Sequence, residues 1–300
     1  MASNVPAANY SVNNLRGLLL ALLSTALFTI VAAMSKIAVE DYHVLEILFF
    51  RQFVIFLSCV PSLRQSFFVS LKTQRPKMHL LRLVGAFLSL SCGIWAVSVL
   101  PLTTALTLGF AQVFFTALLA LLFLKEAVGK HRIGAVIVGF IGVIIVMRPG
   151  VEGIIDLNAL IPILAAIGTA IAFTSVRSLS QTESTTTLLV YQAIALGVVA
   201  GVPLFWFWQT PDLAGTLLML AIGLVSAVGS WVSIQSLRLG EASVISNIQY
   251  MKLIYGAILG YFLFNEIPDI YTIVGAAIII ASSIYIYRRE ALRKKEGRNV

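Results

Sequence analysis

The sequence predicts an all-α membrane protein of ten transmembrane helices arranged as two inverted five-helix repeats. Three observations lead there. The chain of 300 residues is 59% hydrophobic and only 11% charged, where a soluble domain carries about 25% charged residues. So little polar surface makes lipid the solvent for most of the exterior. Next, one stretch is written twice: Thr103–Glu126, TTALTLGFAQVFFTALLALLFLKE, and Ser243–Glu266, SVISNIQYMKLIYGAILGYFLFNE. Both copies are apolar and end on an acid, and each has a polar residue fourteen positions before that acid, Gln112 in one and Lys252 in the other. Internal repetition of this kind marks a duplicated unit. Finally, when the spans alternate through a bilayer, 17 of the 21 Lys and Arg residues fall on one side.

A spanning helix needs about 20 mostly apolar residues. Ten stretches qualify: Gly17–Ala38, Val44–Leu63, His79–Leu100, Leu102–Leu124, Ile133–Met147, Leu157–Val176, Thr185–Phe207, Leu213–Leu237, Ala242–Phe264 and Ile270–Tyr287. Their connections are short and marked by Pro76, Pro101, Pro149-Gly150, Pro211, Gly240 and Pro268, residues that interrupt helices. The first repeat is expected over 17–147 and the second over 157–288. Met1–Asn14 is polar and uncharged, so no cleavable signal peptide is expected. Cys59 and Cys92 lie in apolar runs and give neither a disulfide framework nor a metal spacing.

Cytoplasmic loops collect Lys and Arg. With the N-terminus inside, the basic clusters Arg64–Arg82, Lys125–Arg132 and Arg288–Arg298 are all cytoplasmic, and so are both termini. Lys36 and Arg148 fall outside; Arg51 and Lys252 lie within spans. This placement explains the net charge of +8 without a nucleic-acid surface, since the charges sit at span ends. Five spans per repeat is an odd number, so the second copy enters the membrane upside down. Glu126 then lies at the cytoplasmic face and Glu266 at the outer face. Inverted repeats are typical of secondary carriers, whose substrate sits near the midplane between the repeats.

The helices ending FLKE (Phe123–Glu126) and LFNE (Leu263–Glu266), the Gly-bearing helices after them at Gly134-Ala135 and Gly275-Ala276, Arg51, and Arg148-Pro149-Gly150 together resemble the EamA family of the drug/metabolite transporter superfamily. The resemblance covers about residues 17–288 and is specific for fold rather than substrate. It implies a ten-helix carrier; relatives include riboflavin and S-adenosylmethionine importers and amino-acid and drug exporters. One departure stands. Many members place a proline near the middle of the fourth and ninth spans, where this chain has Gln112-Val113 and Lys252-Leu253.

Lys252 is the sharpest single signal. A lysine at mid-bilayer costs about 3 kcal/mol on insertion scales, so it is expected to contact substrate in a wet cavity, with Gln112 facing the same cavity from the other repeat. Asn247 and Tyr250 flank Lys252 in the chain and join the expected substrate-binding set. Trp95 and Trp231 join it as aromatics that stack on a flat substrate. Arg51, Glu46, Glu126 and Glu266 are expected in structural or coupling roles, Arg51 as a clamp on Glu46 or Glu266. Glu46 and Arg51 are five apart, about 140° around a helix, so they pair poorly with each other. Gly197-x-x-x-Gly201 and Gly256-x-x-x-Gly260 read as close helix packing. His43, His79 and His131 lie at span margins and read as interfacial rather than as ligands.

No phosphate-binding GxxxxGK[ST] loop and no HExxH occurs, which argues against direct ATP drive; no cofactor or metal is expected. The sequence therefore predicts a secondary transporter of the cell inner membrane, moving a small organic metabolite by rocking one half against the other. The partners expected are a small-molecule substrate and the lipid bilayer, with no nucleic acid, and a monomer or homodimer. A cation beside aromatics suits a flat molecule with anionic or carbonyl character. Within the resembled family riboflavin uptake is the first candidate. S-adenosylmethionine uptake and amino-acid or drug export are the alternatives, the former opposed by the charge of Lys252. From other classes, a channel would show flux that does not saturate, and an intramembrane enzyme turnover in detergent.

Overall fold

The computed structural model describes residues 14–70, 73, 75–124, 130–147, 157–179, 182–239 and 251–296, and all regular structure among them is helical. The helices are α1 (Asn14–Ala38), α2 (Val44–Ser70), α3 (Pro76–Val99), α4 (Leu102–Gly109), α5 (Gln112–Leu124), α6 (Lys130–Met147), α7 (Leu160–Leu179), α8 (Thr185–Gly201), α9 (Leu204–Phe207), α10 (Leu213–Leu239), α11 (Met251–Phe264) and α12 (Ile270–Glu296). Among the described residues, six segments are long and apolar enough to cross a bilayer, at α1, α2, α3, α7, α8–α9 and α10. Four shorter apolar segments, 102–116, 134–147, 251–264 and 270–282, fall on the remaining expected spans.

Two expected spans are discontinuous. The seventh stops at Gly201 and resumes as α9 after a turn at Val202-Pro203, where proline lacks the N–H that would continue the ladder. The fourth breaks at Phe110-Ala111 although no proline is present. There the Phe110 N–H is shared between Leu106 O (3.2 Å) and Thr107 O (3.1 Å), and the Ala111 N–H reaches only back to Leu108 O (3.0 Å), a local tightening to 3₁₀ pairing. Tertiary packing holds it. Phe110 and Phe114 are wholly buried, and Phe114 fills the space beside Gly139, where an added Cβ would stand 2.0 Å from the ring. Leu108, Ala111, Val136, Val143, Leu253 and Ile279 close the core around this point.

The main packing partners are α3 with α7, α1 with α10, α6 with α12 and α2 with α8. Each pair takes one helix from before residue 148 and one from after residue 157. Glycines set the closest approaches. A Cβ on Gly85 would lie 2.8 Å from Gly168 O, and one on Gly275 2.8 Å from Gly142 O. Small residues permit such backbone contact in lipid, where apolar packing alone gives helices little reason to associate. The expected glycine pairs instead seat side chains: Gly201 meets the Phe49 ring of α2, and Gly256 meets the Leu106 side chain of α4.

The ends of the bundle hold the polar contacts. At one end the Tyr42 hydroxyl donates to Asp212 Oδ1 (3.1 Å). At the other, Arg75 Nη1 donates to Ser178 O (3.3 Å) and Thr73 bonds Glu183. Within α1, buried Ser24, Thr25 and Thr29 donate to carbonyls of the preceding turn at 2.7–3.0 Å, which satisfies them without a partner helix. Ser184 caps α8 by accepting from Thr187 N–H (3.0 Å). Ser184→Ala is expected to cost about 1 kcal/mol, read as a lower unfolding midpoint in detergent with substrate affinity unchanged.

Candidate functional site

The break between α4 and α5 makes Gln112 the first residue of a half-helix. Gln112 is partly buried, and its amide has no hydrogen-bond partner among the described residues. The half-helix α5 packs on α7, and α11 packs on α1 and α4; the α11 stripe Lys252–Gly256–Gly260 repeats every four residues, one side of a helix. A Cβ on Gly260 would touch Thr103 (3.3 Å), and one on Gly256 would meet Leu106 (2.5 Å). The two helices therefore run antiparallel, each step of four along α11 matching three or four back along α4. One further step brings Lys252 level with the break at Phe110-Ala111. The two residues that share a place in the duplicated stretch thus stand at the same depth.

Arg51 comes from α2. Its neighbours one turn either way on the same stripe, Leu48 and Ile55, are completely buried, and Arg51 itself is 6% exposed. The guanidinium makes no hydrogen bond or ion pair among the described residues, and its Nε is buried without a partner. Gln52, beside it, is wholly buried with both amide atoms unpartnered.

The acids lie elsewhere. Glu266 binds Lys36 of α1 through Oε1 and accepts the Leu102 N–H of α4 on Oε2 (2.7 Å). Lys36 also donates to Leu100 O (3.0 Å) and lies over the Phe264 ring. This knot ties the ends of α1, α3, α4 and α11 together. Glu46 is wholly buried at the same end of the molecule; Oε2 accepts a long bond from Gln209 N–H (3.4 Å), and Oε1 has no partner. Arg51 clamps neither acid. The carboxylate partner of Lys36, not Arg51, is Glu266, because Lys36 ends α1 beside it while Arg51 lies deeper.

Trp95 and Trp231 stand apart from this group. Each is half exposed (51% and 53%). Trp231 continues the outward stripe Leu217, Leu220, Leu224 and Val228, and Trp95 the stripe Leu80, Val84 and Val99, surfaces suited to lipid. Asn247, Tyr250 and Glu126 lie outside the described residues.

The structure adds a polar group that sequence reasoning missed. His79 is 2% exposed, pairs through Nε2 with Glu183 Oε2 and packs on the Tyr191 ring at 4.5 Å. Arg82, on the same face of α3, donates to Leu188 O (2.8 Å) and Gln192 Oε1 (2.9 Å). Its signal was the i, i+3 spacing of His79 and Arg82 within one turn of a span, which places both on one face.

Comparison with known proteins places these features in a family. The model of the EamA-like transporter family matches twice, at residues 15–148 and 157–288. An S-adenosylmethionine uptake transporter of Rickettsia bellii (strain RML369-C) is 32% identical over 266 residues, 87% of this chain and 90% of that one. A pseudopaline exporter of Pseudomonas aeruginosa (strain UCBPP-PA14) is 29% identical over 91% of this chain and 96% of its own. A riboflavin transporter of Rhizobium johnstonii (strain DSM 114642 / LMG 32736 / 3841) is 29% identical over 80% of each chain. A protein of known crystal structure superposes with a TM-score of 0.63 over 92% of this chain and 99% of its own, at 13% identity, a likeness of fold alone. With two matches that together cover most of its length, the chain belongs to the EamA-like transporter family and is a multi-span membrane transporter.

Proposed function

We propose that the protein is a secondary carrier of a small organic metabolite in the cell inner membrane, with ten spans in two inverted repeats and both termini cytoplasmic. The observation that carries this reading is the broken α4–α5 helix, with Gln112 at the break and Lys252 level with it. Carriers built from inverted repeats place their substrate near the midplane, where discontinuous helices expose polar groups. The twofold family match and the crowding of Lys and Arg at one set of span ends support the topology. Substrate enters between the helices that carry Gln112 and Lys252, and the knot at Glu266 closes the outer end.

Among named substrates, riboflavin and S-adenosylmethionine both follow from relatives at about the same identity. The test is flux into proteoliposomes driven by a substrate gradient alone, with labelled riboflavin, S-adenosylmethionine and an amino-acid panel, each measured in both directions. Saturable flux is expected for one of them. Gln112→Leu is expected to lower the apparent affinity by about tenfold, the loss of one hydrogen bond to a charged or polar group plus its desolvation. Non-saturating flux would make the protein a channel, and no flux across the panel would overturn the carrier reading.

A further inference from the structure

Each end of the bundle is tied by an acid and a base, but the bases differ. At the Glu266 end the partner is a lysine. At the other end it is His79, in the first turn of α3, which pairs with Glu183 in the connection between α7 and α8. His79 is 2% exposed and Glu183 almost as deeply buried. The imidazole bonds Glu183 Oε2 through Nε2, and Thr73, before α3, bonds Glu183 Oε1. His79 Nδ1 is buried with no partner. The other ionisable groups around His79 are Tyr191 of α8, against its ring, and Arg82, one turn on along α3, which is held by Leu188 O and Gln192. Arg75 is turned to Ser178 O, and Arg16 of α1 reaches the same end exposed. Lys36 of α1 and Glu46 of α2 lie at the far end, and α4 has no ionisable side chain. The helices joined here belong to two close pairs, α3 with α7 and α2 with α8, whereas α3 and α8 touch only lightly.

We infer that His79 and Glu183 form a proton-binding site that latches this end of the carrier, closed while Nδ1 holds a proton and loosened when it gives the proton up. The consequence for transport rests on the carrier reading above, under which this end faces the cytoplasm. Nε2–H stays on Glu183 throughout, so Nδ1 is the atom left to take the proton, and no other bond changes. With the proton bound, an imidazolium faces a carboxylate away from water, where their attraction is stronger than in solution. Without it, one hydrogen bond remains and the ion pair is gone. Imidazole gains its charge as pH falls, so the pair is strongest on the acid side and weakens as pH rises through about 5 to 8. Arg82 holds α8 by bonds that do not titrate in that range. The latch therefore has a constant part and a switchable part. Parting α3–α7 from α2–α8 at this end breaks both. Lysine keeps its charge across the same range, so the Lys36–Glu266 end does not respond. The proton acts on one gate of the carrier and not on the other.

Two experiments on the full-length protein test this. The first needs no substrate. Unfolding midpoints in detergent are read at pH about 5.5 and about 8.5, on either side of the imidazole range, for the wild type, His79→Gln, Glu183→Gln and the double variant. Glutamine keeps a neutral N–H donor for Glu183 but takes no proton. His79→Gln is expected to lower the midpoint by about 3 °C at the acid pH and by less than about 1 °C at the alkaline one. The acid-side loss is expected to vanish once Glu183 is already glutamine. A loss equal at both pH values, or one that persists in the Glu183→Gln background, overturns the site. The second reads the gate, as flux into proteoliposomes of labelled riboflavin, S-adenosylmethionine and amino acids at the same two pH values. Saturable flux is expected to run about threefold faster at the alkaline pH, and His79→Gln to run at the faster rate at both. A pH response that His79→Gln retains overturns the latch. The two readings fail separately. A proton-dependent His79–Glu183 pair with no flux from any substrate leaves the site without the carrier. Saturable flux indifferent to His79 leaves the carrier without the latch.

Discussion

Glu266→Ala is expected to lower stability by about 3 kcal/mol, the low end for breaking a buried pair because both side chains keep some exposure. The carboxylate answers two groups at once, the Lys36 ammonium and the Leu102 N–H. Removing it strands a cation that is 17% exposed and a backbone donor at the start of α4. The charge-swapped pair Lys36→Glu with Glu266→Lys separates these roles. It restores the ion pair but leaves the Leu102 N–H facing an ammonium, so it is expected to recover about half of the lost midpoint. Full recovery would show that the backbone bond contributes nothing. The readout is the unfolding midpoint of purified protein in detergent.

Gly168→Leu is expected to prevent normal assembly. An added Cβ would meet Ser89 N at 2.6 Å and Gly85 O at 2.7 Å, both backbone atoms that cannot turn aside. The crossing of α3 and α7 is also pinned by a hydroxyl pair, Ser89 Oγ to Thr169 Oγ1 at 2.6 Å. Overpacking commonly costs about 1–3 kcal/mol where side chains can adjust, and here they cannot. The protein is expected to leave a size-exclusion column largely aggregated. Gly93→Ala, on the partner helix α3, is the control. Nothing lies within 4 Å of its Cβ, so it is expected to be neutral or to stabilise by up to about 1 kcal/mol. A folded Gly168→Leu protein would mean that α3 and α7 are not held at this distance.

How far the sequence reached depended on what each signal encodes. Lys252 and Gln112 stood out because duplication leaves matched positions; their contact with substrate is a proposal for the flux measurements to test. The backbone contacts fell at Gly85–Gly168 and Gly142–Gly275 rather than at the two small-xxx-small pairs, which seat side chains. The partner of Glu266 was not legible. Lys36 lies 230 residues away and read as a loop charge at a span end, so Arg51 looked the better mate. Which cation a lone acid takes depends on how far each helix end reaches, and a linear spacing does not record that. Trp95 and Trp231, expected beside the substrate, lie on half-exposed outward stripes for a related reason. A span is apolar all round, so periodicity separates its core face from its lipid face poorly. The break at Phe110-Ala111 carried no proline and came from the seat that Gly139 makes for Phe114.

The helix pairings bear on which parts travel together. Each intimate pair, α3 with α7, α1 with α10, α6 with α12 and α2 with α8, welds a lever from before residue 148 to one from after residue 157. Seams of backbone against backbone at Gly85–Gly168 and Gly142–Gly275 resist sliding, so a switching motion keeps such pairs whole. The halves of the gene are then not the halves of the machine. A chain severed between residues 148 and 157 is expected to stay joined through these four pairs, and its two fragments, made separately in one cell, to copurify.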